Sequence, residues 1–289
     1  MLFRSKARAL LGYKGLAWHS VFVPRVAPKP DLTALTAGYR KVPVLQCGAD
    51  VYCDTRLIAE VLNGLAPTPT WQAAAGSLPP LLEKWVDQVL FGKAGGFVFG
   101  QLADMLPDAL LADRAALRGA PLEREGLKAA LPVGRQELLA HFAWLELALA
   151  DGRTFFNGPH PGPGDFTLYS TVWFCKGAGL DLADWPALSE WFGRMAGFGH
   201  GLPTAMDANA ALDVALAATP LPVTPEASDA SGLTPGQHVS ITPESLGHGT
   251  TVSGELLAIT PQRISIRHHH ERCGTVHIHF PRLGYRVKG

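Results

Sequence analysis

Apolar residues change their spacing twice along this chain, and those two changes leave few architectures open. Up to residue 66, helical stripes and β-branched runs alternate. Ala7, Leu10 and Leu11 sit at helical spacing ahead of Gly15, and residues 17–23 read as a strand closed by Pro24, Pro28 and Pro30. Asp31 is placed to cap a brief helix over 32–35. Runs at 42–47 and 51–53 around Gly48-Ala49-Asp50 predict a hairpin. Leu57, Ile58, Val61, Leu62 and Leu65 then form one helical stripe. The order is α, β, α, β, β, α.

After Pro67 the spacing is helical throughout. Helices are predicted from Pro79 through Leu90, over 107–117, over 135–150 with Leu138, Phe142, Leu145 and Leu149 in register, and over 166–176, 186–195 and 204–217. Residues 219–235 carry Pro220, Pro222, Pro225 and Pro235 among small polar residues and read as a linker. Beyond it the period falls to two at Val239 and Ile241, Leu256 and Ala258, Ile264 and Ile266, and Val276, Ile278 and Phe280. The expected fold class is therefore α+β and multi-domain. A βα-rich domain spans 1–66, an all-helical domain 71–218, the linker 219–235, and a small antiparallel β module 236–289.

Composition narrows the function. Of 289 residues 47% are hydrophobic and 17% charged, enough to bury one large core or two to three smaller ones. Lys plus Arg equals Asp plus Glu at 25 each, so no net field draws the chain to nucleic acid or to an acidic membrane surface. A small neutral or zwitterionic ligand fits better. The four cysteines, Cys47, Cys53, Cys175 and Cys273, share no zinc-ribbon spacing and suit a reducing compartment, so a cytoplasmic location is expected. No apolar run reaches the ~18 residues of a membrane-spanning helix. The basic start, with Arg4, Lys6 and Arg8, has a second reading as an organellar presequence.

Two local features point to a ligand. Pro43, in Val42-Pro43-Val44-Leu45, opens a strand that would lie inside a sheet, a position where proline cannot donate to the ladder. A cis bond there would turn the Val42 backbone outward to pair with an extended peptide, the other reading being an ordinary trans proline at a sheet edge. Asp54-Thr55 opens the next helix, where amide N–H groups and the Thr55 hydroxyl would take a carboxylate and Asp54 an ammonium. The plainer reading of Asp54 is an N-cap.

Lys41-Val42-Pro43-Val44-Leu45, the hairpin and Asp54-Thr55-Arg56-Leu57-Ile58 together resemble the glutathione S-transferase pattern. Lys6 to Leu11 and Tyr13-Lys14-Gly15-Leu16 are similar to that family's first helix and turn. Gly158-Pro159-His160-Pro161-Gly162-Pro163-Gly164-Asp165-Phe166 is similar to its capped helix, with Gly162 where Ser or Thr usually stands. The resemblance runs over residues 1 to 215. It implies an incomplete thioredoxin-like domain followed by a helical bundle. It also implies glutathione as co-substrate, with Val42 on its cysteinyl part, Asp54 and Thr55 on its γ-glutamyl head, and Lys41 near a carboxylate. The implied activity is conjugation or thiol transfer to a small electrophile, in a possible homodimer that the β module could alter.

The family's first strand and its catalytic Ser, Cys or Tyr would precede helix one, where this chain has Met1-Leu2-Phe3. The catalytic group is thus unassigned. Ser5 is a poor substitute inside the first turn, and the expectation is a true start upstream of Met1. The alternative is a non-catalytic binding or scaffold protein that uses the β module for partner recognition. His268-His269-His270-Glu271, Cys273, His277 and His279 allow a third reading, a metal module. The preferred account of these histidines places the triplet at a turn and His277 and His279 on the wet face of a strand, with no metal site. Cys47 and Cys53 flank the hairpin and could approach each other, although unpaired burial is the commoner outcome. Trp85, Trp144 and Trp173 read as core, with one or two lining an electrophile pocket.

Overall fold

A computed structural model of the chain describes residues 2–70, 79–227, 230–244 and 250–289. In chain order the elements are α1 (Leu2–Tyr13), β1 (Ala17–Val21), α2 (Pro30–Leu35), β2 (Val44–Cys47), β3 (Asp50–Cys53) and α3 (Thr55–Leu65). There follow α4 (Pro79–Trp85), which continues through a π-helical turn into α5 (Phe91–Gln101), α6 (Asp108–Arg118), α7 (Arg124–Ala148), α8 (Pro163–Gly177) and α9 (Pro186–Gly197). The chain ends with β4 (Leu202–Met206), α10 (Ala208–Ala217), β5 (Glu226–Ala227), β6 (His238–Pro243), β7 (Val252–Ile259), β8 (Arg263–His270), β9 (Gly274–Pro281) and β10 (Tyr285–Lys288). Among the described residues no helix is long and apolar enough to cross a membrane.

Several boundaries differ from the sequence expectations for local reasons. Asp31 lies within the first turn of α2, not at its cap, and pairs with Arg272 at 2.7 Å. The helix expected over 204–217 begins only at Ala208, because Asp207 is extended and its carboxylate accepts from the Asn209 N–H at 2.8 Å. Residues 202–206 instead form β4, which pairs with β1. Helix α7 runs through Pro132 and starts eleven residues before the expected Arg135.

The chain divides into two compact units. The first comprises residues 1–18, 59–107 and 122–203. Its centre is α8, buried around its whole circumference from Gly164 to Val172 and packed by α1, α4, α5 and α9. A Cβ on Gly164 would come within 2.8 Å of the Leu82 side chain, so glycine permits the close approach of α4. Asp165, fully buried, accepts from the Gly162, Phe156 and Asn157 amides and from Trp191 Nε1 at 2.8 to 3.2 Å. The acidic half of the capping box is in place and fastens the loop before α8 to α9. Two tryptophans read as core are not buried: Trp144 is 63% and Trp173 39% exposed.

The second unit comprises residues 19–58, 108–121 and 204–289. Helices α6 and α10, which the sequence order assigns to a helical domain, group here with strands. The strand order is β10-β6-β7-β8-β9-β3-β2, with β5 beside β7. The terminal strands β6 to β10 pair antiparallel with one another, as expected of the added β module, and their sheet continues from β9 onto the β2–β3 hairpin. Strand β9 pairs in parallel with β3, Asp50 opposite His277, Val51 opposite Ile278 and Tyr52 opposite His279. This covers an edge of the β2–β3 hairpin that would otherwise present unpaired backbone. Val51, Cys53, Ile264, Ile266, Val276, Ile278 and Phe280 share one core with Leu35 of α2 and Leu212 and Ala215 of α10.

Candidate functional site

The expected ligand residues all fall in the second unit, around the ends of the hairpin. The Val42–Pro43 peptide is cis, and Val44 pairs with Cys53 at the start of β2. Cys47 pairs with Asp50 at the other end, so the register holds Cys47 and Cys53 apart, and all four cysteines are free thiols. Asp54 leaves β3 with φ +78°, a left-handed turn that starts α3 at once. Its Oδ1 accepts from the Arg56 N–H at 3.0 Å, the Asx arrangement of an N-cap, and its C=O accepts from the Ile58 N–H at 3.0 Å. Thr55 is buried and Asp54 half-buried.

The C-terminal strand enters this site. Tyr285 Oη donates to Asp54 Oδ2 at 3.1 Å and lies 2.9 Å from Tyr39 Oη. Tyr285 and Tyr39 are both buried. Burial, reinforced by the neighbouring Asp54 charge, pushes the Tyr39 hydroxyl well above its ordinary range, and Tyr285 is raised for the same reasons. Both remain neutral hydrogen-bonding groups. Burial lowers the Lys41 ammonium to about 8, against the opposing pull of Asp54. Lys41, Asp54, Tyr39 and Tyr285 thus form one electrostatic group. Tyr39 and Tyr285 escaped the sequence reading, although Tyr285 and Val287 after Gly284 carry the same period of two as the other strands.

The histidines depart from expectation. His268, His269 and His270 belong to β8, and the turn follows at 271–273. Among the described residues no three His, Cys, Asp or Glu side chains converge as a metal site. His277 and His279 are buried, not wet. The segment read as a free linker lies over them: His277 Nδ1 donates to the Leu221 C=O at 3.0 Å, and the Leu221 N–H donates to Asp50 Oδ2 at 2.8 Å.

Comparison with known proteins places these residues in context. Residues 2–70 match the family model for the glutathione S-transferase N-terminal domain, and residues 71–194 that for the C-terminal domain. A crystal structure of a GST-like protein from Pseudomonas syringae is 36% identical, covering 100% of this chain and 97% of that one with a TM-score of 0.80. FzlA from C. crescentus shares the fold at 22% identity, over 68% of this chain and 83% of its own, with a TM-score of 0.53. A glutathione S-transferase from Rhodospirillum rubrum F11 shares it at 18% identity, over 68% and 84%, with a TM-score of 0.54. No curated protein sequence matches the chain. The full-length likeness includes the C-terminal strands, which lie beyond both family models.

Proposed function

The chain belongs to the glutathione S-transferase family, with a thioredoxin-like N-terminal part, a helical part and added C-terminal strands, and from this we propose that it binds glutathione at the hairpin and α3. The observation that carries the reading is the family match through residues 2–70, which contains Lys41, Val42, Pro43, Asp54 and Thr55 together. The peptide lies along the Val42 main chain, its γ-glutamyl ammonium meets Asp54, its γ-glutamyl carboxylate meets Thr55 at the start of α3, and a second carboxylate meets Lys41. The reaction is conjugation or thiol transfer to a small electrophile. It needs a thiolate, and a thiol near pKa 8.5 is mostly protonated at neutral pH. The group that lowers the thiol pKa is unassigned. Ser5 lies within α1 and is buried. Met1 lies outside the described residues. A cytoplasmic homodimer suits the four free cysteines and the family.

A second reading rests on one contact. The Tyr285 hydroxyl already occupies Asp54 Oδ2, where the ligand ammonium is placed. A protein in which the C-terminal strand closes this site would serve binding or scaffolding, not catalysis. Calorimetric titration with glutathione separates the two. Saturable binding lost in Asp54→Ala supports the transferase reading, whereas absence of binding by both the native chain and Tyr285→Phe supports the scaffold.

A further inference from the structure

On the sheet face opposite the α2 and α10 core, three neighbouring strands each contribute one side chain to a continuous hydrogen-bonded line. Ser265 of β8 is the cross-strand partner of His279 of β9, and its Oγ lies 2.8 Å from His279 Nδ1. His279 Nε2 lies 3.0 Å from Asp50 Oδ1 of β3. All three residues are at most 3% exposed.

The proton positions follow from the donor inventory. A carboxylate only accepts, so His279 carries its hydrogen on Nε2, Nδ1 is left as a lone-pair acceptor, and the Ser265 hydroxyl donates to it. Burial alone would raise the Asp50 carboxyl. The bonds from His279 and from the Leu221 N–H outweigh that and hold it below its ordinary value, so it is the anion this tautomer requires. The Tyr52 ring stacks on the imidazole, with centroids 4.7 Å apart and planes at 18°, which fixes the ring plane. A hydroxyl, a correctly protonated imidazole and a buried carboxylate in series are the parts of a nucleophilic triad, which is recognised by geometry and not by position in the sequence.

The line opens onto space for a substrate. An open pocket of about 370 Å³ has Ser265 and His279 in its wall, together with Thr260 and Gln262 from the β7–β8 turn, Arg263 at the start of β8, and Pro222 to Thr224 from the covering segment. That volume lies at the small end of ligand sites. Arg263 is the one permanent cation among the lining residues, available to offset negative charge that develops on a reacting oxygen.

We propose that Ser265, His279 and Asp50 form a hydrolytic site for small carboxylic esters, separate from the Asp54 site and independent of glutathione. Ser265 Oγ attacks the ester carbonyl carbon as its proton passes to His279 Nδ1, and Asp50 stabilises the imidazolium. The C–O bond to the alcohol breaks, and the alcohol leaves with that proton. Water then gives its proton to Nδ1 and adds to the acyl carbon; the acid departs, and Ser265 recovers its hydrogen.

The test uses the full chain with a fluorophosphonate, which bonds to activated serines, and with p-nitrophenyl acetate as substrate. The expected result is one adduct per chain, located on Ser265 by peptide mass spectrometry, and ester hydrolysis that Ser265→Ala abolishes. Asp50→Asn allows the imidazole to take the opposite tautomer, so labelling slows by about a hundredfold or more. His279→Gln removes the base and gives a similar loss. An unlabelled Ser265 in natively folded protein overturns the proposal, as does an adduct on another residue. So does Ser265 labelling at an unchanged rate in both folded partner variants.

Discussion

Tyr285 Oη stands between Asp54 Oδ2 at 3.1 Å and Tyr39 Oη at 2.9 Å, so the last strand of the chain reaches the carboxylate that opens α3. The Tyr285 proton goes to the carboxylate, which leaves Tyr39 to donate to the Tyr285 oxygen. In Tyr285→Phe the Tyr39 hydroxyl loses that acceptor, and unfolding free energy should fall by about 1 to 3 kcal/mol in urea titrations. Asp54 Oδ2 is freed at the same time. The proposed glutathione complex should tighten by about threefold to tenfold, while Asp54→Ala weakens it by tenfold or more. Equal affinity in native protein and Tyr285→Phe would show that the hydroxyl does not compete with the ligand.

Lys41 gives the same complex a dependence on pH. With its ammonium lowered to about 8, the side chain is charged at pH 7 and loses the charge as pH rises through that value. An anionic ligand group prefers the charged form, so affinity is highest below about 8 and declines above it, at most tenfold per pH unit. S-methylglutathione is the probe of choice because it has no thiol to titrate. Its affinity should decline from pH 7 to 9 for the native chain and much less for Lys41→Arg, since guanidinium stays charged throughout. A parallel decline in both would assign the titration elsewhere.

Asp50 has the opposite sign. Its hydrogen bonds hold the folded carboxyl below its ordinary value despite burial. The stabilisation is therefore complete above the unfolded value, near 4, and is lost as pH falls through the folded one. In urea titrations the native chain should be more stable than Asp50→Asn at pH 7, and the gap should close below about pH 4. A gap independent of pH down to 3 would mean that charge on Asp50 contributes nothing.

What the sequence reveals depends on how far apart the interacting residues lie. The stripe Leu57, Ile58, Val61, Leu62 and Leu65 and the pattern Val276, Ile278 and Phe280 are local. The second marks its buried face throughout, and the first does so at Leu57, Ile58 and Leu62, while Val61 is half-buried and Leu65, at the helix end, is exposed. The family resemblance was likewise legible, because Lys41-Val42-Pro43 and Asp54-Thr55 lie within one short stretch. His277 and His279 were misread since alternation separates two faces but does not say what covers the second. The cover is Leu221, whose backbone polar groups pair with His277 and Asp50 whatever its side chain. The β3–β9 pairing joins residues more than 200 apart, and parallel register leaves no turn to announce it. Tyr285 enters the Asp54 site through that same sheet.

The first unit offers a test of how a buried charge is tolerated. Lys6 Nζ lies 2.7 Å from Glu83 Oε1, with the lysine at 0% and the glutamate at 4% exposure. Thr167 Oγ1 also donates to Glu83 Oε1 at 3.4 Å, tying α1, α4 and α8 together. Lys6→Met removes the ammonium that faces the buried Glu83 carboxylate, which should cost about 3 to 5 kcal/mol of unfolding free energy. Folded domains have only about 5 to 15 kcal/mol to lose, so the variant should be visibly less stable on heating. Changing both residues, to Met at 6 and Leu at 83, removes the buried carboxylate as well and should recover most of the loss. The double-mutant cycle is the measurement. Additive losses would show that the two side chains do not interact, whereas recovery shows that the pair fixes helix positions more than it adds net stability.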